Sequence, residues 1–526
     1  MNSNLTRVFK KTLFILSLRK ATLMALVYMA ISVILQLWGW FHPFISIPVT
    51  ILIIASLIVY ARKDKEYEQG WQVDLATLLQ MCLLFAIVIL MFYRTGIAGF
   101  YQPHSDYVIF RWTLYHNLIE APWPVVLPDG REMSYYISGL LLPAVLSRFT
   151  DIAIVQHWIL LIWSALPVFF ILLLYFTSRK KISWLFFIFG LIIIANHAVL
   201  SIDGINILEK WFIEAVQLIF GDYNSSLLNG RWLPLCNNLP ALSAITVPAL
   251  CATLLILSPK KQLLFLVPLS MALLVFISPL GAIGLFPLAC VCYFPYTRQF
   301  AHKLSSNILC HITTILLVIS AAIYFVRADG NTFIGFTTQN WDISTFLIFY
   351  IPSMAVICIL YAPVLWLNRH DTKIWVIFAS VALCPFFFVG SLISDCHMGY
   401  NELWFKTQST YLVLLGIYLV DTWQKLPTFM KYTWGYCGAV SVLLFIISFA
   451  TPRLDDKDKE LADKWNGHLY HPNEPFLFQS TPPCKAPIIP GAIMQKSGQS
   501  EHSFPGILLP DAPGCDYSRP AKRTNK

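Results

Sequence analysis

Long apolar runs recur along this chain between short polar interruptions, and the pattern predicts helices that cross a bilayer. A hydrocarbon core about 30 Å thick takes roughly 20 apolar residues per crossing, because lipid offers no partner to an exposed backbone amide or carbonyl. Runs of this kind lie near 21–38, 44–60, 75–93, 153–177, 182–200, 239–257, 263–277, 280–295, 308–325, 344–367, 374–392, 408–423 and 432–450. The expectation is an all-α integral membrane protein with about 13 transmembrane helices. Ser278, Pro279 and Gly281 interrupt 263–295, which is therefore split into two short helices; a re-entrant pair fits the same pattern.

Three parts follow from this spacing. Residues 1–74 form an N-terminal helical hairpin with a cytoplasmic loop, 75–450 a polytopic membrane domain, and 451–526 a small loop-rich C-terminal tail. Two outer segments within the membrane domain, 94–152 and 201–238, are long, and long ordered loops tend to carry function. The first is rich in aromatics, including Tyr101, Trp112, Tyr115, Trp123, Tyr135 and Tyr136, residue types that favour the membrane boundary. It predicts an amphipathic surface helix over 105–120, a turn around Pro122, Pro124 and Pro128, and a second helix over 134–149 entering the bilayer obliquely. A further surface helix is expected over 205–220.

Composition narrows the class. Hydrophobic residues make up 57% and charged residues 12%, against roughly 25% charged in a soluble domain, which excludes a large soluble catalytic domain. The net charge of +9 reflects basic clusters on alternate loops, such as Arg62, Lys63 and Lys65, then Arg179, Lys180 and Lys181, then Lys260 and Lys261. Basic loops are retained in the cytoplasm, so the N-terminus is expected inside and the tail outside, and no nucleic-acid partner is needed. Most of the 12 cysteines lie within apolar spans; Cys484 and Cys515 could bridge the tail in an oxidising compartment.

The outer loops are acidic with isolated cations, and phosphate is the simplest anion a membrane offers such cations. Arg111, Arg231 and Lys406 suit that task, and snorkelling to the interface is the competing account. In Gln102-Pro103-His104-Ser105-Asp106-Tyr107, the Asp106 carboxylate could cap the helix that follows, act as general base toward a hydroxyl, or bind a divalent cation with His104.

The layout of residues 75–425 resembles the polytopic membrane glycosyltransferases of the GT-C fold, bacterial type. The likeness lies in a crossing followed by an early acid (Asp106), the aromatic segment Tyr135-Tyr136-Ile137-Ser138-Gly139, Arg231-Trp232-Leu233-Pro234 in the later loop, and Asn401-Glu402 with Lys406 at the outer end of the twelfth crossing. This chain has Ser105-Asp106 where many members carry two adjacent acids. The resemblance implies an enzyme of the extracytoplasmic face of the cell (inner) membrane, moving a sugar from a polyprenyl-phosphate donor in the lipid to an acceptor whose identity stays open. It puts the catalytic role on Asp106, substrate binding on Arg111, Arg231, Lys406, Tyr135, Tyr136 and Glu402, and a possible divalent metal ion on His104 and Asp106. A transporter or flippase of lipid-linked saccharide, or a polysaccharide polymerase or ligase, are the alternatives.

Overall fold

The computed structural model describes residues 12–62, 70–94, 115, 117–125, 133–134, 136–192, 243–299, 307–326, 328–329, 332–336, 343–391, 402–448 and 493–495. Helices dominate: α1 Leu18–Trp40, α2 Pro43–Arg62, α3 Leu75–Arg94, α4 Ser138–Ser147, α5 Ala153–Arg179 and the short α6 Trp184–Phe186, which runs into a π-helical turn Phe187–Ile192. Then come α7 Ser243–Leu257, α8 Lys260–Ile277, α9 Pro279–Gln299, α10 Ile308–Val326, α11 Ile343–Leu367, α12 Thr372–Leu383, α13 Glu402–Thr422 and α14 Thr428–Ser448.

Six of the described helices are long and apolar enough to cross a bilayer: those over Leu18–Trp40, Pro43–Arg62, Leu75–Tyr93, Ile154–Arg179, Lys260–Ile277 and Ile308–Phe325. Helices also occupy the described parts of the other predicted crossings, several of them shorter, except that the one over 374–392 ends in a strand. The perimeter fits a multi-pass membrane protein. Ile51, Ile54 and Ile58 of α2, Leu79, Leu83 and Leu90 of α3, and Ile312, Ile315 and Ile319 of α10 all face outward. Such a wall of aliphatic side chains would aggregate in water but matches lipid tails.

The interior is built on α7 and α13, which pack along one another and are flanked by α5, α8 and α9. Ile245 to Leu255 of α7 and Thr410 to Leu419 of α13 are buried throughout. Close approach depends on glycines, since helices gain little from the hydrophobic effect inside lipid and must gain it from contact. A methyl group on Gly284 of α9 would collide with the Thr407 side chain of α13, and one on Gly416 would meet Gly190 Cα at 2.7 Å.

Three expectations are corrected by the described residues. The break at Ser278 is real, with its hydroxyl accepting from the Gly281 amide at 3.2 Å and Pro279 opening α9, but the flanking helices have 18 and 21 residues and are not short. The crossing over 374–392 is no continuous helix: α12 ends at Leu383, and the Cys384–Phe386 turn with Pro385 leads into a strand, because proline there lacks an amide to continue the ladder. Helix α13 begins at Glu402 instead of 408, which draws Lys406 into the helix.

Among the described residues, seven short strands form three small sheets, unforeseen from the sequence. Strand β1 (Thr12–Leu16) pairs antiparallel with β2 (Trp71–Asp74), Leu16 opposite Trp71, tying the start of α1 to that of α3. There the Asp74 carboxylate accepts from the Thr77 amide at 2.8 Å, a bond that holds its pKa below the ordinary aspartate value. Strands β5 (Thr332–Phe336) and β6 (Phe387–Ser391) pair antiparallel, as do β3 (Met133–Ser134) and β4 (Ala328–Asp329) with β7 (Ile493–Gln495) between them.

The bundle has two chemically different ends. At one, Tyr60 donates to Gln262 at 2.9 Å, Tyr418 to Asp371 at 2.7 Å and Tyr175 to Asp421 at 2.8 Å, while Arg179 pairs with Asp421. Arg19, Lys20, Arg62, Lys180, Lys181, Lys260, Lys261, Arg369, Lys373, Lys425 and Lys431 lie at the helix termini of this same end. At the other, aromatic rings meet: Trp40 with Trp123 at 5.6 Å, Phe41 with Phe276 and with Tyr324 at 6.5 Å each, and Tyr136 with Phe325 at 6.1 Å between centroids.

Candidate functional site

Among the described residues of the aromatic end, one cation is buried. Lys406, on the second turn of α13, is 3% exposed, and its Nζ lies 3.7 Å from the centroid of the Tyr136 ring. That separation is within the reach of a cation–π attraction, worth about 2 kcal/mol where water is excluded. Two residues predicted from distant parts of the sequence, 270 positions apart (406 minus 136), are thus in contact.

Packing explains why Lys406 is held there. Its neighbour Thr407 sits over Gly284, donates to the Leu403 carbonyl at 2.7 Å and lies 3.4 Å from Cys384 Sγ. One turn further, Tyr411 donates to the Gly284 carbonyl. The first half of α13 is therefore seated between α9 and the end of α12. On the opposite side, Tyr136 precedes α4, which packs against α1 and α5 with Gly139, Leu141, Pro143 and Ala144 buried.

Immediately beyond Tyr136, the Ser138 hydroxyl meets the side-chain amide of Gln36 from α1 and lies 3.0 Å from the Phe276 carbonyl of α8. Both residues are fully buried, and the second polar atom of the Gln36 amide has no hydrogen-bond partner. The sequence reading passed over Gln36, although a lone amide in an apolar run is a signal.

Arg148, at the C-terminal end of α4, has a structural role. Its guanidinium donates to the carbonyls of Leu118 and Ala121 at 2.8 and 2.6 Å and lies 4.8 Å over the Trp123 ring, so it closes the C-terminal end of the helical turn over 117–120. Burial lowers its pKa and the nearby Glu120 works against that; an arginine keeps its charge regardless. Arg148→Met is expected to destabilise the fold by about 2 kcal/mol, through stranded carbonyls, while leaving the affinity for anionic lipid unchanged. Thermal unfolding in detergent and a lipid-binding titration check the two halves.

Of the other predicted site residues, His104, Asp106, Arg111, Tyr135 and Arg231 lie outside the described residues, as do Cys484, Cys515 and the surface helix over 205–220. Glu402 opens α13 one turn before Lys406. Residues 115 and 117–120 of the predicted 105–120 helix are helical, and 138–147 of the predicted 134–149 helix. Among the described residues, no three His, Cys, Asp or Glu side chains come together as a metal site. No protein-family model matches this chain, and neither a curated protein nor a solved structure matches it.

Proposed function

We propose that the protein is a membrane glycosyltransferase of GT-C type that moves a sugar from a polyprenyl-phosphate donor to an acceptor on the extracytoplasmic face. The observation that supports it best is the buried Lys406 seated on Tyr136 at the aromatic end. An ionisable group within a membrane protein is costly and is kept for a function. A lipid-anchored phosphate would reach this end of the bundle from the surrounding bilayer, and its negative charge would find a fixed cation there.

In this reading the basic end faces the cytoplasm of a cell membrane, by the retention of Lys and Arg on that side. The acceptor hydroxyl attacks the anomeric carbon, the carbon–oxygen bond to phosphate breaks, and the hydroxyl proton passes to the Asp106 carboxylate. Lys406 stabilises the departing phosphate, with Arg111 and Arg231 as further cations and Tyr135, Tyr136 and Glu402 around the donor head. His104 and Asp106 are the residues that would hold a divalent ion.

The test is reconstitution in liposomes with labelled polyprenyl-phosphate sugars. Asp106→Asn is expected to lower transfer by about 10²- to 10⁴-fold, the range of a lost general base. Transfer by Asp106→Asn at the wild-type rate would refute the assignment. Translocation of the labelled lipid without any sugar transfer would identify a transporter instead.

A further inference from the structure

The short turn between α11 and α12, at the basic end of the bundle, sets an arginine between two tryptophans. Trp366 is 67% exposed and Trp375 46%, although both rings are large and apolar. The Arg369 guanidinium lies 4.4 Å from the centroid of the Trp366 ring and donates to the Trp366 carbonyl at 3.2 Å. The Trp375 indole N–H donates to the Arg369 carbonyl at 2.9 Å. One indole therefore holds the charge, and the other holds the backbone that carries it.

Among the described residues, no acid pairs with this charge. Asp371, two residues on, is occupied elsewhere: its Oδ2 accepts from the Tyr418 hydroxyl at 2.7 Å, and its Oδ1 caps α12 by accepting from the Lys373 amide at 3.0 Å. Arg179, at the same end and also stacked on a ring, shows the contrast, since it is paired with Asp421. A guanidinium has further N–H groups beyond the one that Arg369 gives to Trp366. The turn itself is tied down, with the Asp371 amide donating to the Asn368 carbonyl at 2.9 Å and the Asn368 side chain to the Val364 carbonyl at 2.8 Å. Arg369 is thus an exposed cation, fixed in place, with donors unspent.

We propose that this turn is a binding site for the headgroup of an acidic phospholipid. Ile351, Ile359 and Trp366 are exposed along α11, so the lipid-facing surface of that helix runs up to the turn. Indoles favour the height of the headgroups, which puts Arg369 level with lipid phosphates. The planar fork of a guanidinium matches two oxygens of a phosphate. An acidic lipid is preferred to a zwitterionic one, because the choline of the latter brings a second cation against Arg369 and Lys373. The site lies at the opposite end of the bundle from Lys406 and is independent of the transferase reading.

The experiment titrates the full-length protein, in a neutral detergent, with dioctanoyl phosphatidylglycerol, dioctanoyl phosphatidylcholine and inorganic phosphate. Wild type is expected to bind the glycerol lipid about tenfold more tightly than the choline lipid, the worth of a charge-assisted hydrogen bond, and more tightly than phosphate. Arg369→Gln is expected to weaken binding of the glycerol lipid about fivefold, the share of one cation at a membrane surface. Arg369→Lys keeps the charge without the fork, and Trp366→Leu keeps it without its seat; each is expected to lose part of the affinity, and they decide the question should Arg369→Gln fail to fold. Lys425→Gln, at an exposed position of the same end, is expected to bind as wild type does. Equal losses in Lys425→Gln and Arg369→Gln would overturn the site in favour of a diffuse basic surface. Wild-type affinity in Arg369→Gln, or in both Arg369→Lys and Trp366→Leu, would overturn it as well, as would a wild type that binds both lipids alike. Phosphate binding as tightly as the glycerol lipid would mean a site for free anions and not for lipid.

Discussion

Gly284→Ala is expected to be among the most damaging single-methyl additions in the bundle, lowering stability by about 3 kcal/mol or more and abolishing a monodisperse peak in detergent. The added carbon would fall well inside contact distance of Thr407 Cγ2 and 2.8 Å from Thr407 Cβ. Overpacking a close-fitted core costs about 1–3 kcal/mol where neighbours can adjust, and here they cannot adjust freely. Thr407 is tied to the Leu403 carbonyl and Tyr411 to the carbonyl of Gly284 itself, so separating α9 from α13 breaks a hydrogen bond as well as packing. The double variant with Thr407→Ala removes the worst clash and is expected to recover part of the loss, a coupling that a double-mutant cycle reads directly. If Gly284→Ala unfolds at the wild-type temperature, α9 and α13 do not cross as closely as described.

That crossing was only partly legible in the sequence. The apolar runs marked the positions of the helices well, because a crossing of about 20 apolar residues is a signal that composition alone carries. The break at Ser278 was legible for a similar reason, since Pro279 can open a helix but not continue one. Helix starts were harder: α13 reaches back to Glu402 through Lys406 and Thr407, polar residues that a hydropathy run excludes but a packed interior accepts. Nor could periodicity foresee the strand Phe387–Ser391, whose Phe-Phe-Val stretch reads as more of an apolar helix until its pairing with Thr332–Phe336 is seen.

Site residues follow the same division. Tyr136 and Lys406 were each named from a resemblance of layout, but their contact is tertiary and was not foreseen, being beyond the reach of spacing in one chain. Arg148 was not singled out by the sequence, and its charge is accounted for locally by the carbonyls of Leu118 and Ala121 and the ring of Trp123. Side is the other distinction: Arg179, equally basic in the sequence, is spoken for by Asp421 at the far end of α13. The buried lysine at the near end lies against the Tyr136 ring.

Lys406→Met is accordingly expected to reduce sugar transfer by about 10²- to 10³-fold, the loss typical of a single group aimed at charge that develops in the transition state. Methionine keeps an unbranched apolar stem at this buried position and loses the attraction to the Tyr136 ring, about 2 kcal/mol, and thermal unfolding in detergent separates that cost from the effect on transfer. The loss should fall on kcat more than on KM, because the phosphate of the bound donor already shares its charge with the bilayer surface and gains most when the bond to sugar breaks. A donor whose phosphate is a better leaving group needs less help, and the deficit of Lys406→Met should shrink with it. Arginine is a poor substitute here: its planar guanidinium is larger and forks its donors, and the space over the Tyr136 ring is occupied by a compact ammonium. Turnover by Lys406→Met within twofold of wild type, in a protein that melts normally, would mean that the charge beneath Tyr136 serves the fold and not the chemistry.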